Sequence, residues 1–188
     1  MYPTYVMVDG ERYDINTDFR VAIECNEIAQ DENIKDFERA LAIIYKLYGD
    51  KGLDSEKYDE LLEKGLKFLS CGKEIETTDE EPDMDFVEDM CYIEASFMSD
   101  YGIWLPDVKM HWWKFINLLS GLSNSDIGNC CILNKIRNIR TYDISTIKDT
   151  KERSKMQKAK EMVALHKHKK MTEAQRKSSE EFYKNFTL

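Results

Sequence analysis

The chain has 188 residues, 42% hydrophobic and 11% aromatic, so a core can be buried and wholesale disorder is excluded. The formal charge of −9 is split unevenly, about −17 over residues 1–100 and about +8 over residues 101–188, which excludes the uniformly basic surface of a general nucleic-acid binder. Only eight Gly and three Pro favour helices over a turn-rich β architecture, and no apolar run approaches the roughly 18–20 residues of a membrane span.

Tyr5-Val6-Met7-Val8, Asp9-Gly10 and Glu11-Arg12-Tyr13-Asp14-Ile15 predict a hairpin, because Asp-Gly supplies the positive φ angles of a type I′ turn. Thr17 or Asp18 then caps a helix through about Gln30. The next helix is predicted from about Ile34 to Tyr48, stopped by Gly49. Its core side is read as Phe37, Leu41, Ile44, Tyr45 and Tyr48, widened by Ile43 and Leu47. Ser55 caps a third helix to about Leu69, with Tyr58, Leu61, Leu62, Leu66 and Leu69 inward.

Residues 70–85 are acidic and poor in apolar side chains, which predicts a mobile linker or loop. Phe86 to Tyr101 reads as a helix ended by Gly102. Its core side is Phe86, Met90, Ile93, Phe97 and Tyr101, with Val87, Cys91 and Met98 beside them and Glu94 in the middle. A buried carboxylate needs a partner, and Arg137, Arg140 and His111 are available. Pro106-Asp107 opens a helix to about Leu119 that Gly121 ends. Asn124-Ser125-Asp126 opens another to about Arg140. A highly charged helix is expected from Asp149 or Thr150 to about Lys170, with an i,i+4 pair between Asp149 and Arg153. A last amphipathic piece from Thr172 carries Phe182, Tyr183 and Phe186.

The fold class that follows is mainly α: a helical bundle of about six to eight helices with a short N-terminal β-hairpin. Residues 1–145 form the hairpin and helical core domain, and residues 146–188 a charged C-terminal helical extension. The chemistry of catalysis is sparse. Cys25, Cys71, Cys91, Cys130 and Cys131 form no CxxC pair. Their odd number and the absence of a secretory signal predict reduced thiols in a cytoplasm. The three His are His111, His166 and His168, and no Gly-rich phosphate loop, GxSxG or HExxH motif occurs. His166 and His168 point to different sides of a helix, and the acidic run Asp79 to Asp89 lacks the EF-hand order of ligands and its central Gly. No cofactor and no metal site is expected.

All three Trp fall within ten positions. On a helical wheel of residues 107–122, Val108, Trp112, Phe115, Ile116, Leu118, Leu119 and Leu122 share one arc with His111, read as a satisfied core histidine. Trp113 and Met110 fall on the polar side. Either another helix of the same chain covers them or they meet a partner, since Trp and Met are enriched at interface cores. With Trp104 they are the candidate protein-interface residues.

Asp18-Phe19-Arg20 at a helix start, the Ala-Ser-Phe…Tyr-Gly-Ile helix end from Ala95 to Ile103, the His-Trp-Trp-x-Phe…Leu-x-Gly-Leu run from His111 to Leu122 and Ile136-Arg137-Asn138-Ile139-Arg140 together resemble the gene-product-fifteen family of long-tailed phages infecting Gram-positive bacteria. The resemblance covers most of the chain, and residues 172–188 look like an extension of it. It makes Phe97, Tyr101, His111, Trp112 and Phe115 the family-motif core. It implies a non-catalytic tail-assembly chaperone in the host bacterial cytoplasm. Its partner would be the tape-measure protein, bound by helix-in-groove recognition, with self-association as a further expectation. The competing readings are a minor virion structural or connector protein, and a nucleic-acid module built on the Lys-rich stretch Lys148 to Lys170, whose few aromatics argue against base stacking.

Overall fold

The computed structural model describes residues 2–74, 82–124 and 130–166. It is mainly helical, with an N-terminal antiparallel hairpin and eight α-helices among the described residues. The chain divides into two compact units. The described residues of the first are 2–74 and 109–116; those of the second are 82–108, 117–124 and 130–166.

In the first unit β1 (Tyr5–Val8) pairs with β2 (Glu11–Asp14) in the register Val8 to Glu11 and Tyr5 to Asp14. Asp9 and Gly10 hold φ angles of 48° and 81°, the two left-handed residues that a type I′ turn requires. Asp18 caps α1 (Phe19–Gln30) by accepting the Arg20 N–H at 3.0 Å. Helix α2 (Asp36–Tyr48) ends at Gly49, and a four-residue turn of helix, α3 (Asp50–Leu53), precedes α4 (Tyr58–Leu69). Ser55 takes the place of a cap two residues early, its Oγ accepting from the Lys57 N–H at 3.1 Å.

Helix α2 is the centre of this unit. It packs against α1 and α4, and a Cβ on Gly65 would come within 2.9 Å of Leu47 Cδ1, so the α2–α4 crossing depends on that glycine. The buried face of α2 is Arg39, Ala40, Ile43, Ile44, Leu47 and Tyr48. The expected core face was wrong for Phe37 and Tyr45, which are 61% and 49% exposed. Small Ala40 and the stem of Arg39 take the inward positions instead. The Arg39 guanidinium is held by the Ala29 carbonyl at 3.2 Å and by Asp36.

In the second unit α5 (Met90–Tyr101) starts four residues later than the pattern predicts, and Gly102 closes it in the left-handed conformation with φ 65°. Residues 75–81 of the segment read as a loop lie outside the described residues. At its far end Asp85 is buried and accepts the Val87 and Glu88 N–H groups, both at 2.8 Å. The single helix expected from Pro106 to Leu119 is two pieces. A 3₁₀ turn spans Leu105–Asp107 and α6 spans Trp112–Ser120, because Val108 is extended and Asp18 and His111 form a β-bridge. Helix α6 runs across the sequence division between the units. Helix α7 (Ile132–Thr141) begins at Cys131 rather than near Asn124, and residues 125–129 lie outside the described residues. Helix α8 (Thr150–Met162) is capped by Asp149, which accepts the Lys151 and Glu152 N–H groups. Arg153 donates to the Ile147 carbonyl, so the expected Asp149–Arg153 pair gives way to the cap. The continuation to Lys170 and the piece from Thr172 lie outside the described residues.

Candidate protein-interaction surface

The His-Trp-Trp-x-Phe run is the most heavily bonded part of the first unit. The Phe19 N–H donates to the Met110 carbonyl at 2.9 Å and the Trp112 N–H to the Thr17 carbonyl at 2.8 Å, which straps residues 109–112 to the start of α1. Phe115 is fully buried and stacks on Phe19 at 4.6 Å and on Trp112 at 5.7 Å between ring centroids. The Trp112 Nε1–H donates to the Leu69 carbonyl at 2.8 Å. This last bond satisfies the final carbonyl of α4, which has no partner within its own helix.

His111, expected as a satisfied core histidine, has both ring nitrogens bonded but is only half-buried. Its Nδ1 accepts the Trp113 N–H at 3.1 Å, so its proton sits on Nε2 and is donated to the Pro3 carbonyl at 2.8 Å. Its ring stacks on Tyr2 at 5.0 Å and meets the edge of Phe68 at 5.7 Å. With both ring nitrogens engaged, it offers nothing to the shallow depression lined by residues 15–18 and 109–111.

The three candidate interface residues fare differently. Met110 is 7% exposed. The wheel placed it outward, but residue 110 precedes the helix, and the wheel does not extend to it. Trp113 is half-buried by its own chain: its Nε1–H donates to the Phe68 carbonyl at 2.8 Å, and its ring stacks on Phe68 at 6.3 Å and lies over Gly72. Trp104 remains 47% exposed, held between Gly102 and the buried Leu105.

In the second unit Phe97 is fully buried, 5.7 Å from the Tyr101 ring, whose hydroxyl donates to the Leu118 carbonyl at 2.9 Å. Val87, Cys91 and Met98, expected beside the core side, are exposed instead, so the outer side of α5 is not polar. Cys91, Ala95 and Met98 are exposed at i, i+4 and i+7, with Met98 at 51%, and Trp104 follows one turn beyond the helix end. A helix apolar on both sides is a helix with something left to cover.

The buried carboxylates of this unit are Asp85 and Asp89, not Glu94. Asp89 is fully buried and receives both terminal nitrogens of Arg140, at 2.6 and 2.7 Å, plus the Asp85 N–H at 3.0 Å. The hydrogen bond to Asp89 holds the Arg140 guanidinium above its ordinary pKa. Arg140 also donates to the carbonyls of Asp83 and Val163, at 2.9 and 2.6 Å, and Arg137 pairs with the Asp83 carboxylate at 2.8 Å. Of the acidic run considered for a hard cation, Asp83 and Asp89 are matched by arginines, and Asp79 to Glu81 lie outside the described residues. His166 donates its backbone N–H to Glu88 at 2.8 Å, and His168 lies outside the described residues.

Among the described residues no group of three His, Cys, Asp or Glu is placed to hold a metal ion, and no helix is long and apolar enough to cross a membrane. Cys25 is buried beside Glu24, and burial pushes its thiol pKa up to about 12, far from a reactive thiolate. What the described residues present is a helical scaffold with apolar side chains left on its surface. The family model for the bacteriophage Gp15 protein matches residues 2–165, and the chain belongs to that family. No curated protein and no solved structure matches it.

Proposed function

We propose that this chain is a non-catalytic tail-assembly chaperone that binds the phage tape-measure protein in the host cytoplasm and keeps it from aggregating until the tail tube forms around it. The observation that carries the reading is the exposed apolar strip of the second unit, Cys91, Ala95 and Met98 on α5 with Trp104 beyond its end. Membership of a phage family supports it. A long helical client offers an i, i+3, i+4, i+7 apolar face that such a strip can take. The net charge of −9 keeps the loaded complex dispersed, and many weak contacts along one client allow release when tube subunits arrive.

The test is co-expression with the tape-measure protein of the same phage. The client stays soluble with the wild-type chain and precipitates with Trp104→Asp or Met98→Asp, both of which keep the native circular-dichroism spectrum. A client equally soluble without this chain overturns the reading. Detection of the chain in purified particles by mass spectrometry makes it a virion component instead. Trp113→Asp does not serve as the test, because it breaks the Phe68 bond and damages the fold.

A further inference from the structure

The outward face of α2 carries two neighbouring ridges. Phe37, Leu41 and Tyr45 follow one another at i, i+4 and i+8, and Glu38, Ala42 and Lys46 run beside them at the same spacing. Phe37 and Tyr45 are 61% and 49% exposed, while Leu41 and Ala42 are half-buried. The edge of Tyr58 meets Phe37 at 6.5 Å and extends the patch onto the start of α4. Four apolar residues in six on the solvent side of a helix require cover.

We propose that this face binds a second copy of the chain, with the two α2 helices antiparallel across a two-fold axis between Leu41 and Ala42. The order of residues selects that occupant. A two-fold rotation sets Phe37 against the partner's Tyr45 and Glu38 against the partner's Lys46, each contact made twice, as an isologous interface demands. A parallel pairing would set the Glu38–Lys46 ridge of one copy against the Phe37–Tyr45 ridge of the other and leave the charges without partners. Ala42 at the centre lets the helices approach to the roughly 8–10 Å of close ridge-in-groove packing. Antiparallel helices also bring opposite dipole ends together. Lys46 pairs with Glu24 at 2.5 Å at the edge of the face, with both side chains about half exposed, so its ammonium has donors left for a second carboxylate. One helix pair buries less than the roughly 1,200 Å² of a standard interface, so the dimer is a weak one, in the micromolar range or above.

Sedimentation velocity of the full chain across the micromolar range tests this. The expected result is a concentration-dependent monomer–dimer equilibrium that Leu41→Glu weakens at least about tenfold. Glu38→Lys and Lys46→Glu each weaken it about two- to fivefold, and the double exchange restores it. Zero-length carbodiimide coupling of mixed light and heavy-isotope chains should link Glu38 of one copy to Lys46 of the other. Glu38 and Lys46 are on the surface and Leu41 is half-buried, so an unchanged circular-dichroism spectrum separates lost association from lost fold. A chain that stays monomeric at every concentration, a dimer indifferent to Leu41→Glu, or a double exchange that restores nothing overturns the proposal. Loss of client solubility in Leu41→Glu without any dimer assigns the face to the client instead, and leaves the role of Trp104 intact.

Discussion

In the first unit the polar atoms of the His-Trp-Trp-x-Phe run belong to aromatic rings and end on backbone carbonyls: Trp112 to Leu69, Trp113 to Phe68, His111 to Pro3. In the second unit the same place is taken by charge, with Arg140 forked on Asp89 and reaching the carbonyls of Asp83 and Val163. Neutral indole bonds add direction to a packing that burial already favours, and each is worth about 1 kcal/mol. A buried ion pair differs because both charges have lost water, so each partner depends on the other, and removing one leaves a desolvated charge behind. One unit is therefore sensitive to lost volume and the other to lost partners.

Phe115→Ala breaks the comparison on the aromatic side. It opens a cavity between Phe19 and Trp112 and is expected to cost about 3–5 kcal/mol, read as a lower denaturation midpoint and as faster amide exchange in α1 and α4. Asp89→Asn is the matching cut on the ionic side. It strands Arg140 and is expected to cost about 3 kcal/mol, with exchange rising in α5 and α7. Adding Arg140→Met should recover a large part of that loss, which no mutation paired with Phe115→Ala in the aromatic unit should do. Trp113→Phe keeps the ring on Phe68 and removes only the Nε1–H, so about 1 kcal/mol is expected from the same denaturation measurement.

The smallest effect concerns Asp100. The Ser123 N–H, and after it the Ser99 hydroxyl, hold its carboxyl below the ordinary value of 3.8. A depressed folded pKa adds stability that is fully present above that ordinary value and is lost as pH falls through the folded one. Because Asp100 is exposed, solvent screening limits the contribution to about half a kcal/mol or less. Asp100→Asn should flatten the stability profile below pH 5 by that amount and leave neutral pH almost unchanged.

Much of the local structure was legible. Asp9-Gly10 announces its turn because few other pairs adopt two positive φ angles. Asp18, Gly49, Gly102 and Asp149 mark helix ends because a cap is made within three or four residues of itself. The family resemblance rested on the His-Trp-Trp-x-Phe run, and that run is the buried strap of the first unit. The candidate surface was only partly readable. Trp104 stays exposed, Met110 is buried, Trp113 is partly covered by its own chain, and the face of α2 was assigned to the core.

The sequence by itself determined the helix ends marked by Asp18, Gly49, Gly102 and Asp149, that the hairpin forms, and that Phe97, Trp112 and Phe115 lie inside, since these follow from short-range sterics and from hydrophobicity at helical spacing. Only the tertiary structure decided which side of α2 faces inward, that residues 108–111 leave the helix to bridge Asp18, and that Arg140 meets Asp89 rather than Glu94. Each of these depends on a neighbour tens of residues away, or on a small side chain such as Gly65 that admits a close helix. A wheel drawn from one segment contains no information about what comes to lie against it.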